Sequence, residues 1–396
     1  MVTWTLPDPG PAAGSGVTFA QLSTVRVGGP VRRLIDAADE QEAIEAVRAA
    51  DAHGEPALVI GSGSNLVVCD EGFDGTVVRL ASRGVALERA AGGGRVRLRV
   101  AAGEPWDELV ARAVEERLAG IECLSGIPGL AGATPIQNVG AYGQQVSDTL
   151  VSVRAYDRML RRVVELPAAD CRLGYRTSAL RRGDRRVVLE VTFELERSPL
   201  ARPLRYEELA AALDAAPGDR PSLSQVREAV LALRRRKGMV PDPDDPDTVS
   251  VGSFFVNPVL KRDELESLTR RARALANSSG RGPARDAPGH GGPPGWPRSE
   301  GRPSAWAQPE GRPPAWPQPD GRVRTSAAWL IERAGFRRGQ ALGRAAISTK
   351  HTLALVNRGG ASARELIELA RVIRDGVREA FGVTLEVEPT LVGLEL

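Results

Sequence analysis

Two glycine-rich stretches are where residue types alone first suggest chemistry in this 396-residue chain. Val59-Ile60-Gly61-Ser62-Gly63-Ser64-Asn65-Leu66 sets small residues between two apolar runs. Without side-chain bulk the backbone can approach a phosphate, and amide N–H groups and hydroxyls can satisfy its oxygens. A Rossmann fingerprint would need another glycine at position 66 and a helix beyond it. Leucine stands there and a strand follows, so any nucleotide must be held differently. The second stretch runs from Gly126 to Gly143 with five glycines and two prolines, which rules out an uninterrupted helix or strand. A long loop of small residues is suited to wrapping a ligand.

The elements around these loops read as two unlike halves. Ala57–Ile60 and Leu66–Val68 are apolar runs of strand length flanking the first loop. Arg95–Val100 alternates strictly, Val96, Leu98 and Val100 against Arg95, Arg97 and Arg99, as a half-buried strand does. A helix follows, with Pro105 near its first turn and Trp106, Leu109, Val110, Ala113 and Val114 on one face. Val151–Asp157, Leu160–Leu166 and Val187–Leu195 read as further strands. The pattern changes around Pro199–Pro203. Beyond it, Ser222–Lys237 and Ala361–Phe381 carry helical spacing, with strands expected at Ser253–Val256, Leu353–Val356 and Val383–Val387.

Composition bounds the function. Apolar residues are 42% and charged residues 26%, an ordinary balance for a water-soluble protein. Lys and Arg number 53 against 50 Asp and Glu, so a net charge of +3 offers no nucleic-acid footprint. Lys237, Lys261 and Lys350 are the only lysines; elsewhere the cation is arginine. Cys69, Cys123 and Cys171 have no paired spacing and read as buried thiols in a reducing compartment. His53, His290 and His351 are too scattered for a zinc site, and no metal is expected. No apolar run opens the chain and none is long enough to cross a bilayer, so a cytoplasmic protein is expected. From Gly291 a ten-residue period sets Trp296, Trp306 and Trp316 in register. It reads either as a Pro/Trp docking module or as a tandem duplication in an exposed loop. Its composition points to a disordered insertion at about 278–322.

The two glycine loops, with Arg26-Val27-Gly28-Gly29-Pro30, resemble the FAD-binding half of the UDP-N-acetylenolpyruvoylglucosamine reductase family. The resemblance runs from about residue 20 to the C-terminus, apart from the Trp repeat. It implies an α+β architecture: a PCMH-type (vanillyl-alcohol-oxidase-like) FAD-binding fold of two subdomains and a C-terminal α+β substrate domain. The expected divisions are a tail at 1–19, subdomains at 20–84 and 85–200, and a substrate domain at 201–396. It also implies non-covalent FAD, held by Gly61, Ser62, Gly63, Ser64 and Asn65. From the second loop, Gly126, Pro128, Gly129, Gly132, Ala133, Gln137, Asn138, Gly140 and Tyr142 would join them.

Three further segments resemble that family's catalytic motifs. Arg172-Leu-Gly-Tyr175-Arg176-Thr-Ser178 places Arg176, Val251-Gly252-Ser253-Phe254-Phe255 places Ser253, and Leu385-Glu386-Val387-Glu388 places Glu388. The implied reaction is reduction of an enolpyruvyl sugar nucleotide, with NADPH as the reductant in a ping-pong scheme. Hydride reaches the terminal enolpyruvyl carbon, and negative charge then develops on its neighbour and spreads into the carboxylate. A guanidinium at Arg176 can pair with that carboxylate, Glu388 can share or donate a proton, and Ser253 can protonate the carbon. Tyr206, Arg234, Lys237 and Asn257 match the family's substrate contacts, Tyr206 lying on the loop that closes over substrate. No macromolecular partner is implied, and a monomer is expected. Two other readings stay open: an oxidase on the same flavin fold, and a binding protein that keeps the fold and uses the Trp repeat. His53 offers no covalent flavin attachment, and retention of Arg176, Ser253 and Glu388 together argues against the second.

Overall fold

The computed structural model describes residues 16–89, 93–181, 185–279 and 312–396. Trp296 and Trp306 of the repeat lie outside them. The first layer holds β1 (Val31–Ala37), α1 (Glu40–Ala52), β2 (Ala57–Ile60), β3 (Leu66–Val68) and β4 (Phe73–Leu80). β1, β4 and β2 form a parallel sheet with β4 central. Asp39 caps α1 by accepting from the Glu42 amide, and the helix buries Ala43, Val47 and Ala50. That face shares a cluster with Val78 of β4 and with Tyr156, Val187 and Leu189 of the next sheet.

The second layer comprises β5 (Val85–Arg89), β6 (Arg95–Ala101), α2 (Trp106–Glu115), β7 (Leu150–Asp157), β8 (Arg162–Pro167) and β9 (Arg186–Arg197). Its antiparallel order is β8-β7-β9-β6-β5. β6 buries Val96, Leu98 and Val100 and turns its arginines outward, where Arg95, Arg97 and Arg99 pair with Glu190 and Glu194 of β9. Trp106 is fully buried, edge-on to Phe193 at 5.6 Å between centroids, with Nε1 donating to the Leu124 carbonyl.

The second half of the chain begins with α3 (Glu207–Ala212) and α4 (Leu223–Arg236), the latter opened by a Ser222–Gln225 capping box. There follow β10 (Ser250–Ser253), β11 (Val259–Leu260), α5 (Arg262–Ser279), β12 (Ala315–Pro317), β13 (Val323–Thr325) and α6 (Ala327–Arg333). The chain ends with β14 (Ala341–Leu342), β15 (Ala345–Ile347), β16 (Ala354–Asn357), α7 (Ala363–Phe381) and β17 (Thr390–Val392). The main sheet here runs β10-β16-β15-β14. α7 buries Leu366, Leu369, Ala370, Ile373 and Val377, at about 2 kcal/mol for each large aliphatic side chain. It stops at Gly382, whose φ of +73° is left-handed.

Several links tie this second half to the first layer. β17 pairs in parallel with β3, and the Thr390 amide donates to the Asn65 carbonyl at 3.0 Å. Asp70 accepts from the Ala363 and Arg364 amides at the start of α7. Thr24 Oγ1 donates to the Ser250 carbonyl, and Asn357 Nδ2 to the carbonyls of Val25 and Arg26.

Several elements differ from the sequence reading. The strand expected at Ser253–Val256 occupies Ser250–Ser253, because 254–256 run beside 386–388 instead, joined by Val256 N to Glu386 O, Glu388 N to Phe254 O and a single Phe255–Val387 bridge. For the same reason Val383–Val387 is not a strand. Met159 and Leu160 belong to a turn in which both amides donate to Asp157, and the strand starts at Arg162. Residues 312–322, counted with the repeat insertion, include ordered structure: Trp316 sits in β12, paired with Arg324 of β13.

Candidate active site

β2 and β3 diverge, and the Gly61–Asn65 loop between them lines an open cleft of about 320 Å³. Gly63 has φ +64°, and a Cβ there would stand 2.0 Å from the Leu22 carbonyl oxygen. Only glycine lets the loop lie so close to the turn beneath it. Ser62 Oγ is buried with no hydrogen-bond partner among the described residues. A buried hydroxyl left in that state calls for an acceptor from outside the chain, such as a phosphate oxygen. Ser64 Oγ donates to the Pro128 carbonyl at 3.2 Å and so joins the two glycine loops. Pro128, Gly129, Ala133, Gln137 and Gly140 of the second loop line the same cleft. These residues fit a dinucleotide cofactor such as FAD.

Arg176, Ser253 and Glu388, from three distant segments, line the same cleft. Arg176 Nε lies 2.8 Å from Glu388 Oε1, with the two side chains 23% and 19% exposed, and Arg176 Nη2 donates to the Gly140 carbonyl at 2.8 Å. The arm carrying Arg176 is pinned by Ser178, whose Oγ donates to the Ile136 carbonyl and accepts from the Leu180 amide. Glu388 is placed by its own amide on Phe254 O, one residue beyond Ser253, and by Gln137 Nε2 on its carbonyl. Ser253 ends β10 in register with Ala354, and its hydroxyl has no protein partner among the described residues.

Of the proposed substrate contacts, Arg234 lines the cleft. It is 9% exposed, donates Nη2 to the Met239 carbonyl, and leaves a buried Nε unpaired. Burial lowers its affinity for the proton, so a bound anion would relieve an uncompensated charge. Lys237, Tyr142 and Tyr206 form a neighbouring cluster off the wall. Lys237 Nζ lies 2.7 Å from Glu208 Oε2 and 5.6 Å from the Tyr142 ring centroid, and the two tyrosine rings meet edge to face at 5.6 Å. Burial pushes Tyr142 up to about 12 and raises Tyr206 as well, so both hydroxyls stay protonated donors. Asn257 Oδ1 accepts from the Ala327 amide, which commits it to the start of α6.

Three other expected contacts, Gly126, Gly132 and Asn138, do not line the cleft. Gly126 and Gly132 are packing positions, where a Cβ would meet Leu231 at 2.7 Å and Ala102 at 2.5 Å. Asn138 spends its side chain on Gln145, Ser147 and Gly174. Arg26–Pro30 backs β3, with the Gly29 amide on the Cys69 carbonyl. The sequence reading missed Thr24, Trp106, Met239, Pro241, Thr248 and Thr390, all of which line the cleft. Met239 could have been found from its place two residues past Lys237; the others carry no local signal. Among the described residues there is no group of His, Cys, Asp and Glu placed to hold a metal, and no helix long and apolar enough to cross a membrane.

A glycine-lined nucleotide cleft joined to an arginine–glutamate–serine cluster fits a flavin-dependent reductase. Residues 31–159 match a family model described as an FAD binding domain. Over 95% of the chain, the fold is shared with a crystal structure of UDP-N-acetylenolpyruvylglucosamine reductase from Thermus caldophilus, at TM-score 0.59, 24% identity and 97% of that chain. The protein is thus an FAD-dependent oxidoreductase that shares the fold of that reductase. Residues 244–392 match the model of the UDP-N-acetylenolpyruvoylglucosamine reductase C-terminal domain. Proteins of that name from Thermobifida fusca and Mycobacterium tuberculosis are 50% and 46% identical, each over 96% of this chain and covering 98% and 95% of those proteins. The chain belongs to the UDP-N-acetylenolpyruvoylglucosamine reductase family.

Proposed function

We infer that this chain reduces UDP-N-acetylglucosamine enolpyruvate to UDP-N-acetylmuramate, a step of peptidoglycan synthesis, with NADPH as the reductant. The observation that carries the reading is the Arg176–Glu388 pair beside a partnerless Ser253 hydroxyl on a cleft with a glycine cradle. FAD, when bound, supplies hydride to the enolpyruvyl double bond. The loop Gly61–Asn65 and Pro128–Gly140 would hold it, Ser62 Oγ and the loop amides meeting its phosphates.

Arg176 keeps Nε on Glu388 and Nη2 on Gly140, which leaves Nη1 to meet the substrate carboxylate as charge builds there. Glu388 lies against that guanidinium and would act with it at the substrate carboxylate. Ser253 Oγ gives the carbon its proton; with no acceptor among the described residues, the hydroxyl is free to turn toward it. Arg234 and Lys237 would neutralise the diphosphate, and Tyr206 would donate to it. For Asn257 the amide nitrogen is the end left for substrate. A cytoplasmic monomer completes the reading.

The test is NADPH oxidation by the purified holoenzyme with and without the enolpyruvyl nucleotide, with the muramate product identified by mass. Ser253→Ala should leave flavin bleaching by NADPH near normal and slow turnover about 10²–10⁴-fold. Equal slowing of both half-reactions would remove Ser253 from its role.

A further inference from the structure

Arg181 joins the two halves of the catalytic pair through their main chains. Its Nη1 donates to the carbonyl of Arg176, and its Nη2 donates to the carbonyl of Glu388 at 3.1 Å, across 207 residues of sequence. The same fork therefore binds both residues whose side chains meet 2.8 Å apart in the cleft. The turn that brings it there is local, with the Arg181 amide donating to the Ser178 carbonyl.

Arg176 needs such a hold. Its φ of +52° is left-handed, a conformation costing about 1–3 kcal/mol in a non-glycine residue and kept only where the surroundings over-determine it. The Ser178 bonds to Ile136 O and Leu180 N fix the arm as a whole. They leave the Arg176 carbonyl, which adjoins the strained torsion, to Arg181. Glu388 lies on irregular backbone between the bridge at Val387 and β17. Its carbonyl accepts from Gln137 and from Arg181, and only the latter also reaches Arg176. A planar guanidinium offers two donors in a fixed fork, whereas an ammonium cannot hold two carbonyls in that geometry.

We propose that Arg181 is a positioning residue for the reduction step, holding Arg176 and Glu388 in mutual register by clamping their carbonyls. The proposal rests on the reading of those two residues as catalytic. A shift of about 1 Å between reacting groups lowers rates about 100-fold, and loosening one of several restraints should give about 10- to 100-fold.

The experiment compares Arg181→Ala and Arg181→Lys as holoenzymes in stopped flow, following flavin reduction by NADPH and then reoxidation by the enolpyruvyl nucleotide. For Arg181→Ala, flavin content and the reductive half-reaction should stay within about threefold, while reoxidation falls about 10- to 100-fold and kcat falls more than KM rises. Arg181→Lys should fall between alanine and wild type. Added guanidinium ion should restore part of the alanine variant's rate and none of that of Ser253→Ala.

Reoxidation within about threefold of wild type in Arg181→Ala overturns the clamp. So does a loss shared by both half-reactions that follows flavin loss and answers neither to lysine nor to guanidinium. Glu388→Gln in the same assay separates the two levels of the argument. If it reoxidises normally, the catalytic reading falls and takes the clamp with it. If it is slow while Arg181→Ala is normal, the clamp alone falls.

Discussion

Gly63 and Gly54 have almost the same backbone torsion, φ +64° and +65°, but very different surroundings. A Cβ on Gly54 meets nothing within 4 Å, whereas on Gly63 it would lie 2.0 Å from Leu22 O and 2.8 Å from Ser23 Cα. Gly54→Ala therefore meets only the left-handed penalty, about 1 kcal/mol. Gly63→Ala meets the same penalty plus a collision with backbone that must be relieved by movement, adding about 1–3 kcal/mol. The sum, about 2–4 kcal/mol, falls on a loop whose free direction is the cofactor cleft. Displacing it moves Ser62 and the loop amides off the position a phosphate would take. Gly63→Ala should thus bind FAD about 10- to 100-fold more weakly, while Gly54→Ala binds it normally. The assay is the flavin-to-protein absorbance ratio after gel filtration, with a flavin fluorescence titration for Kd. Melting should drop by about 2–4 °C for Gly54→Ala and roughly two to four times as much for Gly63→Ala. Equal flavin affinity in the two variants would refute the argument, because the torsional cost is common to both.

Lys237 is held by Glu208; on the proposed role it exchanges that partner for the diphosphate, so Lys237→Ala should raise KM, and Glu208→Gln should lower it by a few-fold at low salt. Both effects should shrink as ionic strength rises; salt-independent KM values would remove Lys237 from the site. Burial, helped by Lys237 and Arg338, drives His351 down to about 3 from its ordinary 6.5, so the folded state keeps it neutral. The unfolded chain binds that proton first, so the contribution is whole above 6.5 and is lost as pH falls toward 3. At about pH 5 the loss is at most about 2 kcal/mol, and less if the ring is partly solvated. His351→Gln should therefore lose less melting temperature than wild type between about pH 7.5 and 5, and parallel curves would contradict the assignment. Deleting Gly291–Glu310, which lies outside the described residues, should leave flavin content and turnover within about twofold, since closure entropy grows only logarithmically with loop length. Loss of flavin or of activity on deletion would mean that the repeat supports the catalytic domains.

What could be read from the sequence is what near neighbours decide. The alternation in β6, the apolar runs of β2 and β3, the face of α2 and the Ser222 cap of α4 follow from side-chain period and local capping, and each lies within a residue of its expected place. The small-residue loops could be located because glycine is needed wherever backbone meets backbone or a ligand closely. Arg176, Ser253 and Glu388, proposed as catalytic, were singled out by motif resemblance, and all three line one cleft.

Their meeting was not. That Arg176 should face Glu388, or that Arg181 should hold both carbonyls, depends on β17 joining β3 and on 254–256 running beside 386–388. Those pairings join segments far apart in the chain, and hydrogen bonds between main-chain groups leave no mark on side-chain type. The same holds for Lys237 on Glu208 and for Trp316 beside Arg324, where a proline-rich repeat that looks structureless by composition gains a strand partner. Composition sets what a segment can do by itself. Only tertiary register supplies the partner that offsets the entropy of ordering it.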